Sequence, residues 1–205
     1  MKNQNLADQS DSPLYIIKDD FIDNRNGWEL VESEKETAVF TQKGYLLANK
    51  DTDRWHHFSL YPEISSLKNL HIKCQLEVDI NSGLGQIGLI WGFDKKSNRL
   101  NRFCLSAQGK GCSIMHFERD HRPVFHRFYD PFMDVDLSKP VVMEIREAND
   151  YWFFRINKKL VYIGHQTHFA GKGGGVGFYL DPGVVARIKG LRVYKRPISK
   201  AFSSN

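Results

Sequence analysis

A chain of 205 residues with 41% hydrophobic and 13% aromatic side chains can fill one large packed core and is unlike a disordered polymer. The net charge of +5 is basic but dilute. The densest basic run, "KGLRVYKRPISK" (189–200), alternates with apolar residues as a strand face would, which argues against a nucleic-acid binder.

No apolar stretch reaches membrane-spanning length, and "MKNQNLADQSDSP" at the start has no apolar h-region. The expected compartment is therefore the cytoplasm, with no membrane partner. Cys74, Cys104 and Cys112 each fall in an apolar run, and an odd number of cysteines makes no complete disulfide framework, so buried free thiols are expected. Residues 1–13 read as a flexible tail, 14–198 as one domain and 199–205 as a second tail.

Period-two patterning runs through the chain. "LYIIK" opens it, followed by "WELVES", "TAVFTQ", "GYLLANK" and "HHFSLYP". In "LHIKCQLEVDI" Leu70, Ile72, Cys74, Leu76, Val78 and Ile80 share one face. His71, Lys73, Gln75, Glu77 and Asp79 share the other, which predicts a half-buried strand with a wet side. "QIGLIWGF" is apolar on both faces and predicts a central strand, paired with "NRFCLSA" across "DKKSNR". "GCSIMHFER" and "PVFHRFY" predict another hairpin. In "PVVMEIREANDYWFFRINKKLVYIG" the stretches "ANDY" and "NKK" turn the chain twice. "GGVGFYL" and "VARIKGLRVYKR" close the series. No segment carries a capped helical stripe, although "SEKETA" and "EISSLKN" each have room for a short turn. Roughly twelve to fourteen short strands without a repeat period predict an all-β, antiparallel two-sheet sandwich or jelly roll.

Between Phe21 and Trp28 lies a run of turn formers, "DDFIDNRNGW". Asp and Asn side chains bond to nearby backbone N–H groups, and Gly27 permits a sharp reversal, so an Asx-rich turn clamped by two buried aromatics is expected. Asp19, Asp20, Asp23 and Asn24 would also suit calcium, but the D-x-[DN]-x-[DN]-G order is not met and Arg25 would sit inside the cation site.

"DDFIDNRNGW", "GYLLANK", "IGLIWGF…NRFCLSAQGKG", "YWFFRINKKLVYIG" and "GGGVGFYL", in that order, resemble the concanavalin A-like lectin/glucanase superfamily. The likeness is nearest to bacterial modules that open with an F-x-x-N-x-N-x-W turn. It implies a jelly roll with a shallow concave groove for a carbohydrate or glycan-like ligand. Glucanases of that superfamily carry an E-x-D-x-x-E strand whose alternate carboxylates face one cleft, because retaining hydrolysis needs carboxyls about 5 Å apart. Here "EVDINS" keeps Glu77 and Asp79 but has Ser82 in the last position. Galectin-type strands are absent too: "MHFER" has His116, Glu118 and Arg119 with no asparagine between.

Other motifs carry less. His116, His121 and His126 recur every five residues, a wide spacing for a metal set. "GKGGGVGF" lacks the G-K-[ST] of a phosphate loop, and G-x-S-x-G never occurs. No catalytic residue, metal or cofactor is assigned. Sugars stack their C–H faces on aromatics while charged and amide groups bond the hydroxyls. The expected ligand groove is lined by Trp91, Arg102, Ser106, His116, Arg119, Glu144 and Tyr179, although a strand apolar on both faces is also where a core tryptophan belongs. The leading expectation is a non-catalytic, lectin-like carbohydrate binder. The alternatives are a glycoside hydrolase using Glu77 with Asp79 or Glu118 with Glu144, and a protein-interaction module.

Overall fold

The computed structural model describes residues 13–60, 69–79, 81–94, 96–97, 99–118, 123–169 and 174–195. Of the two expected tails, all but residue 13 lie outside them, as do Ile80, Arg119 and His121 and most of "EISSLKN". Fifteen strands follow in chain order: β1 (Leu14–Asp19), β2 (Val31–Glu32), β3 (Glu36–Thr41), β4 (Gly44–Asn49), β5 (His56–Leu60), β6 (Leu70–Val78), β7 (Gln86–Asp94), β8 (Arg99–Ser106), β9 (Lys110–Phe117), β10 (Pro123–Asp134), β11 (Val141–Ala148), β12 (Tyr151–Ile156), β13 (Lys159–His165), β14 (Gly175–Leu180) and β15 (Val185–Lys195). One 3-10 turn, Gln166–His168, is the helical element among the described residues.

All strand pairs are antiparallel, and they form two sheets. The nine-stranded sheet has the order β13-β12-β11-β6-β15-β4-β3-β2, with β1 also paired to β15. The six-stranded sheet has the order β10-β9-β8-β7-β14-β5. The predicted antiparallel two-sheet sandwich is the observed architecture.

Alternation places the core between the layers. Leu70, Ile72, Cys74, Leu76 and Val78 of β6 face Ile87, Leu89 and Trp91 of β7, Phe103 and Leu105 of β8, and Val176, Phe178 and Leu180 of β14 in one continuous cluster. Cys74, Cys104 and Cys112 are buried and free. The wet side expected for β6 is only partly wet. His71 is 1% exposed, because Tyr194 from β15 lies over it with ring centroids 4.5 Å apart and Nε2 reaches Glu144 at 2.8 Å.

The two short turns have the backbone that their residues favour. Asn149 and Asp150 (φ 49° and 64°) and Asn157 and Lys158 (φ 48° and 71°) are all left-handed, as two-residue type I′ hairpin turns require.

"DDFIDNRNGW" is an Asx-organised turn. The Asp19 carboxylate accepts from the Phe21 N–H (2.7 Å), Asn26 Nδ2 (2.7 Å) and Trp28 Nε1 (2.8 Å), and the Asn24 side chain bonds the Trp28 N–H (2.6 Å). Asp23 pairs with Arg25 at 2.7 Å. Gly27 takes φ 72°, and Phe21 itself takes φ 55°, a costly state for a bulky side chain. Burial of its ring against Trp28, Tyr45 and Phe178 (centroids 5.5, 5.6 and 6.0 Å) offsets that strain.

Candidate functional site

The side of the six-stranded sheet that faces away from the core is not an ordinary polar surface. Between the core-facing residues of β7, β8, β9 and β14 project Ile90, Leu100, Arg102, Cys104, Met115, Phe117 and Tyr179. Ile90, Phe93, Leu100, Cys104 and Tyr179 form a second, smaller apolar cluster, with the partly buried rings of Trp55 and Phe117 packed on it. This explains why "QIGLIWGF" is apolar on both faces: one face meets the core and the other this cluster.

Register and a glycine allow the cluster to form. Gly88 of β7 lies between Tyr179 on β14 and Cys104 on β8. It has no side chain on the outer face, so the Arg102 side chain crosses β7 and lies over the Tyr179 ring. A Cβ at Gly88 would come within 2.0 Å of the Phe103 carbonyl oxygen and 2.5 Å of the Cys104 Cα.

The Arg102 guanidinium carbon is 4.0 Å from the Tyr179 ring centroid and 4.8 Å from that of Phe117. Ring quadrupoles attract a cation at such distances. Nε and Nη2 donate to Met115 Sδ at 3.2 and 2.8 Å. The Tyr179 hydroxyl donates to Asp181 Oδ1, whose other oxygen accepts the Gln86 N–H at 2.9 Å. Trp55 lies against Tyr179 with centroids 5.6 Å apart. Burial pushes the Tyr179 phenol above its ordinary range, while the Arg102 charge pulls the other way. Burial also raises the Cys104 thiol to about 12, so it is not a thiolate nucleophile at neutral pH.

The residues expected to line a groove are dispersed. Arg102, Ser106 and Tyr179 share this outer face, with Ser106 at its far end, where its hydroxyl accepts the Gln108 N–H at 3.2 Å. Trp91 faces inward, 0% exposed, against Trp152, Phe154 and Phe169 (5.8, 5.6 and 5.8 Å), so it packs the core instead of flooring a groove. His116 also faces inward, with Nδ1 3.3 Å from the His168 carbonyl oxygen and Nε2 3.2 Å from Glu118. Glu144 is on the outside of the nine-stranded sheet, 2.8 Å from His71 and 3.6 Å from Arg155. It therefore lies on the opposite side of the sandwich from Arg102, and the pairing of Glu118 with Glu144 is corrected: Glu118 follows the end of β9 in the six-stranded sheet, while Glu144 is on β11 of the nine-stranded sheet. Arg119 lies outside the described residues. Among the described residues no group of three or more His, Cys, Asp or Glu is arranged to hold a metal ion.

Glu77 and Asp79 do share a cleft. It has a volume of about 430 Å³ and is lined by these two, Lys139 and Arg187 among others. Both Glu77 oxygens meet cations, Arg187 at 3.6 Å and Lys189 at 3.5 Å, while Asp79 Oδ1 caps Asn81 at 2.9 Å.

Trp55 and Phe117 escaped the sequence reading. Trp55 stands one residue before its strand, outside the alternating run. Phe117 lies two positions beyond Met115, and only the pairing of β9 with β8 brings both beside Arg102.

Known structures repeat this architecture. The carbohydrate-binding module CBM66 from Bacillus subtilis superposes with a TM-score of 0.60 at 15% identity, covering 84% of this chain and 98% of that one. The fold is the concanavalin A-like jelly roll. A Bacillus subtilis protein of unknown function with a galectin-like fold shares this jelly roll at TM-score 0.64 and 10% identity, covering 89% of this chain and 96% of that one. A Bacillus licheniformis beta-glucanase does so at TM-score 0.64 and 7% identity, covering 88% and 98%. No protein-family model and no curated protein matches the sequence. No helix among the described residues is long and apolar enough to cross a membrane.

Proposed function

We propose that this protein is a non-catalytic carbohydrate binder whose ligand rests on the outer face of the six-stranded sheet, at Trp55, Arg102, Phe117 and Tyr179. The observation that carries the proposal is the juxtaposition of two partly exposed rings with a guanidinium stacked on a third. A pyranose needs that combination, a flat apolar surface for its C–H face and donors for its hydroxyls. The shared fold of a carbohydrate-binding module and a beta-glucanase supports the same class of ligand. Asp181 is the carboxylate bonded to this cluster among the described residues, and it is held by Tyr179 and Gln86. Hydrolysis at this face would need a second carboxyl at glycosidase distance.

A glycan array followed by calorimetric titration of the hits tests the proposal. Trp55→Ala should weaken binding by about tenfold or more, corresponding to about 1.4 kcal/mol of lost stacking. Binding unchanged by both Trp55→Ala and Phe117→Ala would move the site elsewhere. One observation favours hydrolysis as a second reading: Glu77 and Asp79 line a single cleft on the opposite sheet. Release of reducing sugar from an array hit, abolished by Glu77→Gln, would establish that reading in place of the first.

A further inference from the structure

Arg102 differs from several other arginines of the sandwich. Arg99, Arg155, Arg187 and Arg192 each have a carboxylate partner: Asp94, Glu144, Glu77 and Asp20. Arg102 has none among the described residues. Its Nε and Nη2 meet only a thioether, a weak acceptor, and Asp181 is already taken by the Tyr179 hydroxyl. A guanidinium whose carbon lies 4.0 and 4.8 Å from two ring centroids and whose Nε and Nη2 both meet Met115 Sδ has lost most of its rotational freedom. Its planar donor fork is thus preorganised, and the partner that matches it in shape and charge is a carboxylate.

On this basis, and resting on the carbohydrate reading of the same face, we infer that the ligand is an acidic saccharide, a sugar residue whose carboxylate docks on Arg102 while its ring packs on Trp55. A neutral sugar would leave the guanidinium without a strong acceptor in the complex. Burying an unmatched charge under a ligand is costly, so a neutral glycan should bind more weakly than its acid counterpart.

Matched pairs of oligosaccharides test this, each a uronic-acid oligomer (oligogalacturonate or oligoglucuronate) beside its neutral parent (oligogalactoside or oligoglucoside), titrated into the full chain. The inference expects the acidic member of a pair to bind about tenfold to a hundredfold more tightly, with the preference shrinking as salt is raised. Arg102→Gln should collapse that ratio toward one, and Arg102→Lys should keep part of it, since a lysine retains the charge without the fork. Lys73→Gln removes one exposed positive charge from the opposite sheet and should leave the ratio unchanged, which separates docking at Arg102 from the attraction of a basic protein for any anion. Melting curves of the variants establish that they are folded. Neutral and acidic members bound equally would overturn the inference and leave the carbohydrate reading standing. An acid preference that survives Arg102→Gln would overturn the assignment to Arg102. Binding of neither member would remove both readings together.

Discussion

Asp19 shows how much one side chain can organise. It is 3% exposed, yet its carboxylate is offset by three donors, the Phe21 N–H, Asn26 Nδ2 and Trp28 Nε1. Arg192 adds a bond to its backbone oxygen at 2.6 Å, tying the loop to β15. Replacing Asp19 with alanine would strand two buried donors and release the left-handed backbone at Phe21. The expected loss in urea or guanidinium unfolding is about 2–5 kcal/mol, and Asp19→Asn should recover less than half of it, because an amide offers one acceptor where the carboxylate offers two. The composition of "DDFIDNRNGW" predicts the Asx turn and its two aromatic anchors, since these depend on neighbours a few residues away. That Asp19 would accept from the indole of Trp28 depends on the loop closing, and no local pattern expresses it.

Among the strands, β11 and β12 follow their alternation closely, because each has one face on the core and two-residue turns join β11 to β12 and β12 to β13. Asn149-Asp150 and Asn157-Lys158 mark those turns in the sequence, since Asn and Asp tolerate the left-handed backbone that a tight hairpin needs. β7, β8 and β9 are harder to read. Apolar residues on both faces hide which side carries Trp91 and which carries Ile90, although a strand of that kind is where a core tryptophan belongs. The decisive residue is a glycine. Gly88 leaves β7 bare where Arg102 crosses, and Gly88→Ala should destabilise the fold by roughly 2–4 kcal/mol through overpacking against the β8 backbone, measured as a lower denaturant midpoint.

For the molecule as a whole, buried phenols tie stability to alkaline pH. Burial raises the Tyr45 and Tyr179 phenols above the ordinary value of 10.0, with Glu29 adding to the effect at Tyr45. A folded-state value above the unfolded one gives stability that is fully present below pH 10.0 and is lost as pH rises past it. Of the eight tyrosines, Tyr45 and Tyr179 should therefore stay silent in a phenolate-absorbance titration until the protein unfolds. Denaturant midpoints should fall above pH 10.0, less steeply in Tyr45→Phe. Native ionisation of all eight near pH 10 would contradict this.

From its sequence alone, the chain specifies a sandwich: period-two alternation, turn chemistry and an aromatic-rich core are local or compositional properties, and each can be read within a few residues. Which strands share a sheet is not local. The pairings of β6 with β15 and of β7 with β14 join segments far apart in the chain, and these pairings decide which outward residues become neighbours. They put Glu144 and Arg102 on opposite sides, and together with the pairings of β5 with β14 and of β9 with β8 they brought Trp55 to Tyr179 and Phe117 to Arg102. The layers follow from the alternation of side chains, and the candidate site from long-range hydrogen-bonded register.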